Sequence, residues 1–297
     1  QKLIGKKILW EKRLFLLIQM HKILVVVVLH FQYKNMKITT WNVNSINARI
    51  EHLTNFIKTD QSDIYLIQEL KCTEDNFPYD EIKSTGYNAY VNGQKAWNGV
   101  AILSKNPLKI LNNKIPTFID DKNARIIETE IKLSKLKQSV KLFNIYLPNG
   151  NPIETDKFDY KIKWMKKFND YILDLYNKNR PIIIGGDFNV IPTDEDVYSP
   201  ENYKNDACAH PRTREQYRIL INSGFTDTVK FFIKGRTNWT FWGYRGGGWQ
   251  KGNGLRIDHF LTSPEITDLI QSVKIDRNPR GWEKASDHTP VILEIND

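Results

Sequence analysis

Hydrophobic and polar positions follow two different periods along the chain after Met36. Short apolar runs predict strands at 37–43, 63–67, 87–92, 99–104, 125–133, 140–147, 182–184, 239–242, 255–261, near 275 and at 291–295. Apolar residues at helical spacing predict helices at 49–57, 156–176 and 214–222. The stretch 193–206 lacks either period and is expected to be a loop. No repeat or linker divides these elements, so the pattern indicates one domain of stacked sheets covered by helices.

Polar side chains follow or close most of the predicted strands. The clearest case is the apolar run 182–184, which continues through two glycines into Asp187 and Asn189. Taken alone, these two residues are as typical of ordinary turn hydrogen bonds as of a functional site. The glycines are expected to allow a tight bend or the close approach of a ligand. The full set of such residues is Asn42, Glu69, Tyr146, Asn149, Asp187, Asn189, Asp258, Asp287 and His288.

If these strand ends converge, the site contains four carboxylates, one imidazole, several amides and a phenol. Clustered carboxylates repel one another unless a cation joins them, and oxygen ligands suit hard ions such as Mg²⁺ or Mn²⁺. Ser286, Asp287 and His288 are sequence neighbours whose side chains diverge in an extended chain, so they do not form a nucleophile with its base. The combination favours metal-assisted hydrolysis of a phosphodiester.

Charge and cysteine content add little to this picture. The formal net charge is +9, but residues 1–35 contain seven basic residues and one acid, so residues 36–297 carry only +3. Bulk charge therefore gives weak support to a polyanionic partner. Two isolated cysteines without metal-binding spacing suit a reducing cytoplasm and make a structural zinc site improbable.

The first 35 residues differ from the rest of the chain. Their apolar runs at 14–18 and 23–29 are too short and too interrupted for a membrane-spanning helix, and bulky residues follow Leu29 where a signal peptide would have a cleavage site. We interpret residues 1–35 as a non-native or disordered leader and residues 36–297 as the catalytic domain. A membrane anchor is the alternative.

Residues 36–297 resemble the exonuclease III type of apurinic/apyrimidinic endonucleases, within the endonuclease/exonuclease/phosphatase superfamily. Seven short motifs in family order carry the resemblance: 41–44 (WNVN), 68–69 (QE), 98–101 (NGVA), 146–150 (YLPNG), 186–189 (GDFN), 254–258 (GLRID) and 286–288 (SDH). The resemblance implies an α/β protein, specifically a four-layered α/β sandwich in which two packed mixed β-sheets are flanked by helices.

The resemblance also implies roles for individual residues. Asp187 would activate the attacking water or protonate the leaving oxygen, with Asn189 orienting it, and His288 would bind the scissile phosphate while Asp258 orients the ring. Tyr146 and Asn149 would contact the phosphate. The expected catalytic residues are Tyr146, Asp187, Asn189, Asp258 and His288, and the expected metal-site residues are Asn42, Glu69, Asp187, Asn189, Asp287 and His288.

DNA contacts are expected from the aromatic and basic segment 239–251, whose rings could stack on bases while its cations meet phosphates. By resemblance, Phe241 and Leu255 line a pocket for a flipped-out abasic sugar. The expected DNA-binding residues are Asn149, Phe241, Trp242, Arg245, Lys251 and Leu255.

Structural interpretations compete with these roles. Tyr146 could be an aromatic at a sheet edge, and Asp258 could pair with Arg256 on its own strand face. His259 points the opposite way by alternation and is expected to pack, and Cys72 is expected to be a buried thiol. The lysines of the long helix are expected to form a solvated face: Lys161, Lys163, Lys166 and Lys167.

The function that the resemblance implies is a Mg²⁺-dependent DNA-repair phosphodiesterase, with Mn²⁺ as a substitute. It would cut 5′ to abasic sites in double-stranded DNA and trim 3′ ends, as a cytoplasmic monomer without membrane contact. Leu70 and Asn44 depart from the family pattern, and Asn44 could alter metal affinity. A phosphoesterase with another substrate and a non-catalytic nucleic-acid binding protein are the competing hypotheses.

Overall fold

The computed structural model describes residues 13–20, 23–30, 35–235 and 237–297. The chain forms two compact units, Gln1–Asn35 and Met36–Asp297. In the first unit, strands β1 (Arg13–Met20) and β2 (Ile23–His30) pair antiparallel. The prediction of a leader for residues 1–35 stays a prediction, since residues 1–12, 21–22 and 31–34 lie outside the described part of the chain. Among the described residues, no helix is long and apolar enough to cross a membrane.

The second unit is built on two six-stranded mixed sheets. The first sheet has the strand order β13-β14-β3-β4-β6-β5. Its strands are β3 (Asn35–Asn42), β4 (Ile64–Gln68), β5 (Asn88–Asn92), β6 (Val100–Ser104), β13 (Ile270–Ile275) and β14 (Val291–Asn296). The second sheet has the order β11-β12-β10-β9-β8-β7. Its strands are β7 (Ile110–Asn112), β8 (Ile126–Ile131), β9 (Val140–Tyr146), β10 (Ile182–Asp187), β11 (Thr226–Asp227) and β12 (Asp258–Thr262).

Helices cover the outer faces of both sheets. The helices are α1 (Ile50–Asp60), α2 (Tyr79–Ser84), α3 (Asp156–Asn177), α4 (Pro211–Asn222), α5 (Thr228–Phe232), α6 (Gly248–Lys251) and α7 (Pro264–Thr267). Helices α1 and α2 pack on the first sheet through an apolar cluster that includes Leu53 and Ile82. Helices α3 and α4 pack on the second sheet through a cluster that includes Trp164 and Leu220. The expected four-layered sandwich is therefore confirmed.

The two sheets face each other across a buried apolar layer. Leu66 and Ile102 of the first sheet belong to the same cluster as Leu142, Ile183 and Phe260 of the second. Each of these side chains is removed from water completely, and burial on this scale is the main stabilising contribution in such a fold. The layer makes the two sheets one rigid support for the loops at their ends.

Two glycines in β10 adapt the strand to its neighbours. A Cβ on Gly185 would lie 2.6 Å from Leu66 Cδ1 of the opposite sheet. A Cβ on Gly186, whose φ is 151°, would lie 1.9 Å from the carbonyl oxygen of Ile145. The expectation of a tight bend at these glycines is wrong, because both lie within β10 and allow its close packing. The close approach of a ligand stays a prediction.

Three further predictions about local structure need correction. Residues 239–242 are not a strand, since only isolated bridges join Phe241 to Leu255 and His288. The expected loop 193–206 contains two short 3₁₀ helices, Asp194–Asp196 and Pro200–Tyr203. Lys161 is fully buried, so it does not belong to the solvated face of α3.

Candidate active site

Three neighbouring strands of the second sheet bring polar residues to one edge: Tyr146 and Asp187 end β9 and β10, and Asp258 begins the antiparallel β12. Within the strand register, Asp187 of β10 lies opposite Tyr146 of β9 on one side and opposite Asp258 of β12 on the other. All three side chains are buried. The apolar residues of these strands lie in the core, and the strand register then places the three polar residues side by side.

The first sheet supplies the other half of the site. Asn42 ends β3 opposite Gln68 of β4, and Glu69 follows Gln68 in the left-handed region with φ 56°. The indole Nε1 of Trp41 donates to the backbone oxygen of His288 at 3.2 Å, which holds the segment after β3 beside the segment before β14. Asn42 Nδ2 then donates to Asp187 Oδ2 at 2.9 Å and joins the two halves.

His288 lies between two carboxylates. Its Nδ1 is 2.9 Å from Asp258 Oδ2 and its Nε2 is 3.8 Å from Asp187 Oδ2. Burial alone would lower the pKa of His288, but the carboxylates of Asp258 and Asp187 outweigh it and raise the pKa to about 10. Burial and the Asp258 charge raise the pKa of Asp187 to about 7, against the opposing charge of His288. The site thus holds a charged imidazole beside a carboxyl group that titrates near neutrality.

This arrangement decides one of the structural alternatives. Arg256 binds Asp196 Oδ1 and Asp227 Oδ2, each at 2.8 Å, and therefore does not serve as the charge partner of Asp258. His259 is buried and contacts the backbone oxygen of Val190 at 3.0 Å, as expected for a packing residue.

Glu69 and Tyr146 meet at the junction of the two sheets. The Tyr146 hydroxyl donates to Glu69 Oε1, and Lys71 Nζ lies 3.3 Å from Glu69 Oε2. Burial, together with the charges of Glu69 and Asp187, raises the pKa of Tyr146 well above its usual range. Tyr146 is therefore a hydrogen-bond donor at neutral pH, in a site rather than at an edge of the sheet.

Two asparagines extend the site toward the loops after β9 and β10. Asn149 Nδ2 donates to Asn189 Oδ1 at 3.1 Å, and Asn189 Nδ2 donates to the backbone oxygen of Leu147 at 3.0 Å. The backbone N–H of Asn189 donates to Asp187 Oδ1 at 2.9 Å, and Asn189 has a left-handed φ of 48°. Asparagine adopts this conformation more readily than most residues.

The donor groups fit a hard divalent cation. Glu69 and Asp287 present partly exposed carboxylates, and Asn42 Oδ1 accepts only one backbone N–H, from Asn44 at 2.9 Å, among the hydrogen bonds of the described residues. Asn44 Nδ2 donates to Asp287 Oδ1 at 2.9 Å. Asn44 therefore orients the Asp287 carboxylate, whereas the aspartate found at this position in some family members would add a negative charge. Asp187, Asp258 and His288 form a second group, in which one potential ligand atom from each residue lies within 4.8 Å of the other two.

A cavity of about 840 Å³ opens over these residues. Phe241 and Leu255 form part of its wall, with the Phe241 ring centroid 4.9 Å from that of His288. Arg245 and Lys251 are exposed. Trp242 is only 2% exposed and packs edge-on against Trp249, so the expected stacking of Trp242 on a base does not fit its position.

The sequence interpretation missed three residues beside the cavity. Arg125 stacks on the Tyr146 ring at 5.2 Å and donates to the Tyr146 backbone oxygen, and Trp97, 74% exposed, lies at the rim. Buried Lys161 donates to the loops that carry Asn149 and Asn189. Lys161 could have been identified, because it falls on the apolar stripe of α3 between Phe158 and Met165.

Comparison with known proteins gives a consistent result. The Endonuclease/Exonuclease/phosphatase family matches residues 39–288. Exodeoxyribonuclease III of Haemophilus influenzae is 32% identical over 272 residues, covering 88% of this chain and 100% of that protein. An exodeoxyribonuclease of Bacillus subtilis is 29% identical, with the same coverage of both proteins.

Solved structures with the same fold include a 3′ phosphatase, NExo, from Neisseria bound to a product DNA hairpin, with a TM-score of 0.82 and 33% identity. An AP endonuclease from Archaeoglobus fulgidus gives a TM-score of 0.82 at 30% identity. Each alignment covers 88% of this chain and 100% of the other. The expected resemblance and the expectation of a hydrolase of nuclease type are confirmed. The chain belongs to the Endonuclease/Exonuclease/phosphatase family, in the group of exodeoxyribonuclease III and the AP endonucleases.

Proposed function

We propose that the protein is a Mg²⁺-dependent DNA-repair phosphodiesterase that cuts 5′ to abasic sites and removes nucleotides or blocking groups from 3′ ends. The observation that carries the proposal is the buried group of Asp187, Asp258 and His288 beside Glu69, at the base of an open cavity. The relatives named exodeoxyribonuclease III and AP endonuclease support the substrate class. A pure binding protein would gain nothing from buried carboxylates next to a phosphate.

Asp187 is the proposed proton-transfer group. A carboxyl group with a pKa near 7 exists in both forms at neutral pH, which is the condition under which acid–base catalysis is most effective. Asp187 would accept the proton of the attacking water or return a proton to the leaving oxygen. Asn189 supports this role, because its backbone N–H already fixes one oxygen of the carboxylate.

His288, Tyr146 and Asn149 are the proposed phosphate-binding groups. The charged His288 ring would donate to a phosphate oxygen, and Asp258 keeps the ring charged and oriented. Asn149 lines the same cavity and can donate its second amide N–H, and Tyr146 would donate to the phosphate in place of Glu69. Because His288 is assigned to the phosphate in this proposal, it is not part of the proposed ligand set.

Glu69, Asp287 and Asn42 are the proposed residues for Mg²⁺, or for Mn²⁺ as its substitute, with the carboxylate of Asp187 adjacent. When bound, the ion would stabilise negative charge on the phosphate and increase the acidity of a nearby water. Lys71, 3.3 Å from Glu69, supplies a positive charge at the same carboxylate.

The proposed partner is double-stranded DNA that contains an abasic site or a 3′ end. Phe241 and Leu255 would receive an extruded sugar, and the exposed Arg245 and Lys251 would contact phosphates. Extrusion requires little energy where no base must be unstacked, which favours abasic sites. We further propose that the protein acts as a monomer in the cytoplasm, where its two free buried cysteines stay reduced.

To test the proposal, the full chain is incubated with a labelled duplex that carries one tetrahydrofuran abasic site, in the presence of Mg²⁺ or EDTA, and strand cleavage is measured. We expect a single Mg²⁺-dependent cut 5′ to the site, and its loss in Asp187→Asn. Asp268→Asn, which removes an exposed carboxylate, is the matched control and should cut normally. A folded protein that leaves this duplex intact but hydrolyses RNA or a small phosphoester would refute the proposal.

A further inference from the structure

A fully buried lysine lies behind the active site. Lys161 belongs to the second turn of α3 and is 0% exposed. Its Nζ donates to the backbone oxygen of Asn149 at 3.0 Å and to that of Asn189 at 2.6 Å. Both acceptors are backbone carbonyls, and they belong to two different loops, one after β9 and one after β10.

These two loops present their side chains to the same cavity. Asn149 and Asn189 both line it, and their side chains are joined by a hydrogen bond of 3.1 Å. Asn189 is also tied to Asp187 through its backbone N–H. A shift of either carbonyl would therefore move an amide of the site directly and would disturb the orientation of the Asp187 carboxylate.

The packing around Lys161 is specific to its position. A Cβ on Gly150 would lie 2.6 Å from Lys161 Cδ, so the residue after Asn149 must leave room for the lysine stem. Burial lowers the pKa of Lys161, because an ammonium group loses its hydration in the interior. Loss of the ammonium group would leave both carbonyls without this donor, so Lys161 contributes to stability as well as to the geometry of the two loops.

We propose that Lys161 is a positioning residue, which holds the loops of Asn149 and Asn189 at the separation at which both amides contact one substrate phosphate. The inference rests on the proposed function. A single ammonium group with three rotatable donors can bind two carbonyls at once, and neither loop supplies such a group itself.

The experiment compares Lys161→Met with the wild type on the tetrahydrofuran duplex, under conditions where both are folded by circular dichroism. Methionine keeps the length of the side chain and removes the donors. We expect kcat to fall by about a hundredfold, the size expected when reacting groups are displaced by about 1 Å, with KM changed less than about threefold. Lys166→Met, on the exposed face of the same helix, is the control and should keep the wild-type kcat.

A double-mutant cycle separates positioning from general stability. If Lys161 acts through Asn189, Lys161→Met should lower kcat by less than about threefold in an Asn189→Ala background, because the positioned amide is already absent. Lys161→Gln, which keeps two donors on a shorter chain, should recover part of the lost kcat.

Three results would overturn the inference. The first is a folded Lys161→Met protein with normal kcat, and the second is a loss of kcat in the double mutant equal to the product of the two single losses. The third is failure of both Lys161→Met and Lys161→Gln to fold, which would assign Lys161 to stability. These results are distinct from failure of the proposed function, in which the wild type itself would not cut the duplex.

Discussion

The charge of His288 depends on Asp258, and this dependence gives a sharp prediction. In Asp258→Asn the amide oxygen can still accept from His288 Nδ1, so the ring can keep its orientation while it loses the negative charge that stabilises its protonated form. The pKa of His288 lies at about 10 instead of 6.5, and Asp258 is the largest of the charges that raise it. At about 1.4 kcal/mol per pH unit, the charged ring is favoured by something on the order of 5 kcal/mol.

The direction of the expected pH dependence follows from the raised pKa of His288. A group whose folded pKa is raised keeps its proton until the pH passes the raised value, so wild-type His288 should stay a charged phosphate donor across the neutral range. Without Asp258, the pKa should fall toward its ordinary value, and the charged fraction should drop about tenfold near pH 7.5 and about a hundredfold near pH 8.5. Catalytic efficiency should decrease in the same proportion.

The assay measures kcat/KM on the tetrahydrofuran duplex between about pH 6 and about pH 10, since this analogue lacks the aldehyde that makes natural abasic sites base-labile. With Asp187 acting as the base, the alkaline limb reports His288, and we expect it near pH 10 in the wild type and near neutrality in Asp258→Asn. Asp268→Asn removes an equal charge from an exposed position and should leave the limb unchanged. An Asp258→Asn profile that is lower at every pH but has the same alkaline limb would refute the reasoning.

Three other predictions test separate parts of the structure. Glu69→Gln removes a carboxylate from the proposed metal site and should raise the Mg²⁺ concentration for half-maximal activity by about tenfold or more, as measured by Mg²⁺ titration. Gly186→Ala places a Cβ 1.9 Å from the Ile145 oxygen and should destabilise the fold by about 3 kcal/mol or more in urea unfolding, whereas Gly252→Ala, which faces open space, should cost much less. Arg245→Ala and Lys251→Ala should each reduce the slope of log K against log salt by about one for DNA binding, and unchanged slopes would contradict the proposed phosphate contacts.

Much of the site could be predicted because its signals are local. Each of Asn42, Glu69, Tyr146 and Asp187 stands at the end of an apolar strand or directly after it, and the strand register then sets them side by side. Which strands pair is a long-range property, and the convergence of these ends was therefore only a condition in the sequence interpretation. Stacked sheets covered by helices followed from the apolar strands and amphipathic helices, and the family resemblance implied the four-layered form.

The errors arise where long-range contacts decide. The alternative of an Arg256–Asp258 pair followed from alternation along the strand, but carboxylates 60 and 29 positions away, Asp196 and Asp227, bind the guanidinium. Lys161 was read as solvent-exposed from its charge alone, although its partners are backbone carbonyls that no side-chain pattern reveals. Trp242 lies in an aromatic and basic segment typical of DNA binding, but in the fold its ring packs against Trp249 and is buried.

The division of the site between two sheets explains a polar layer directly beneath it. Gln68 Nε2 donates to Asn144 Oδ1 at 2.7 Å, and Asn144 Nδ2 donates to the backbone oxygens of Ile67 and Ala101. Both amides are fully buried. Apolar packing would tolerate small sliding of one sheet over the other, whereas hydrogen bonds between buried amides are directional and costly to break. Gln68 immediately precedes Glu69, and Asn144 lies two residues before Tyr146 on its strand. The amide pair therefore fixes the alignment of the two sheets at the point where the Tyr146 hydroxyl contacts Glu69.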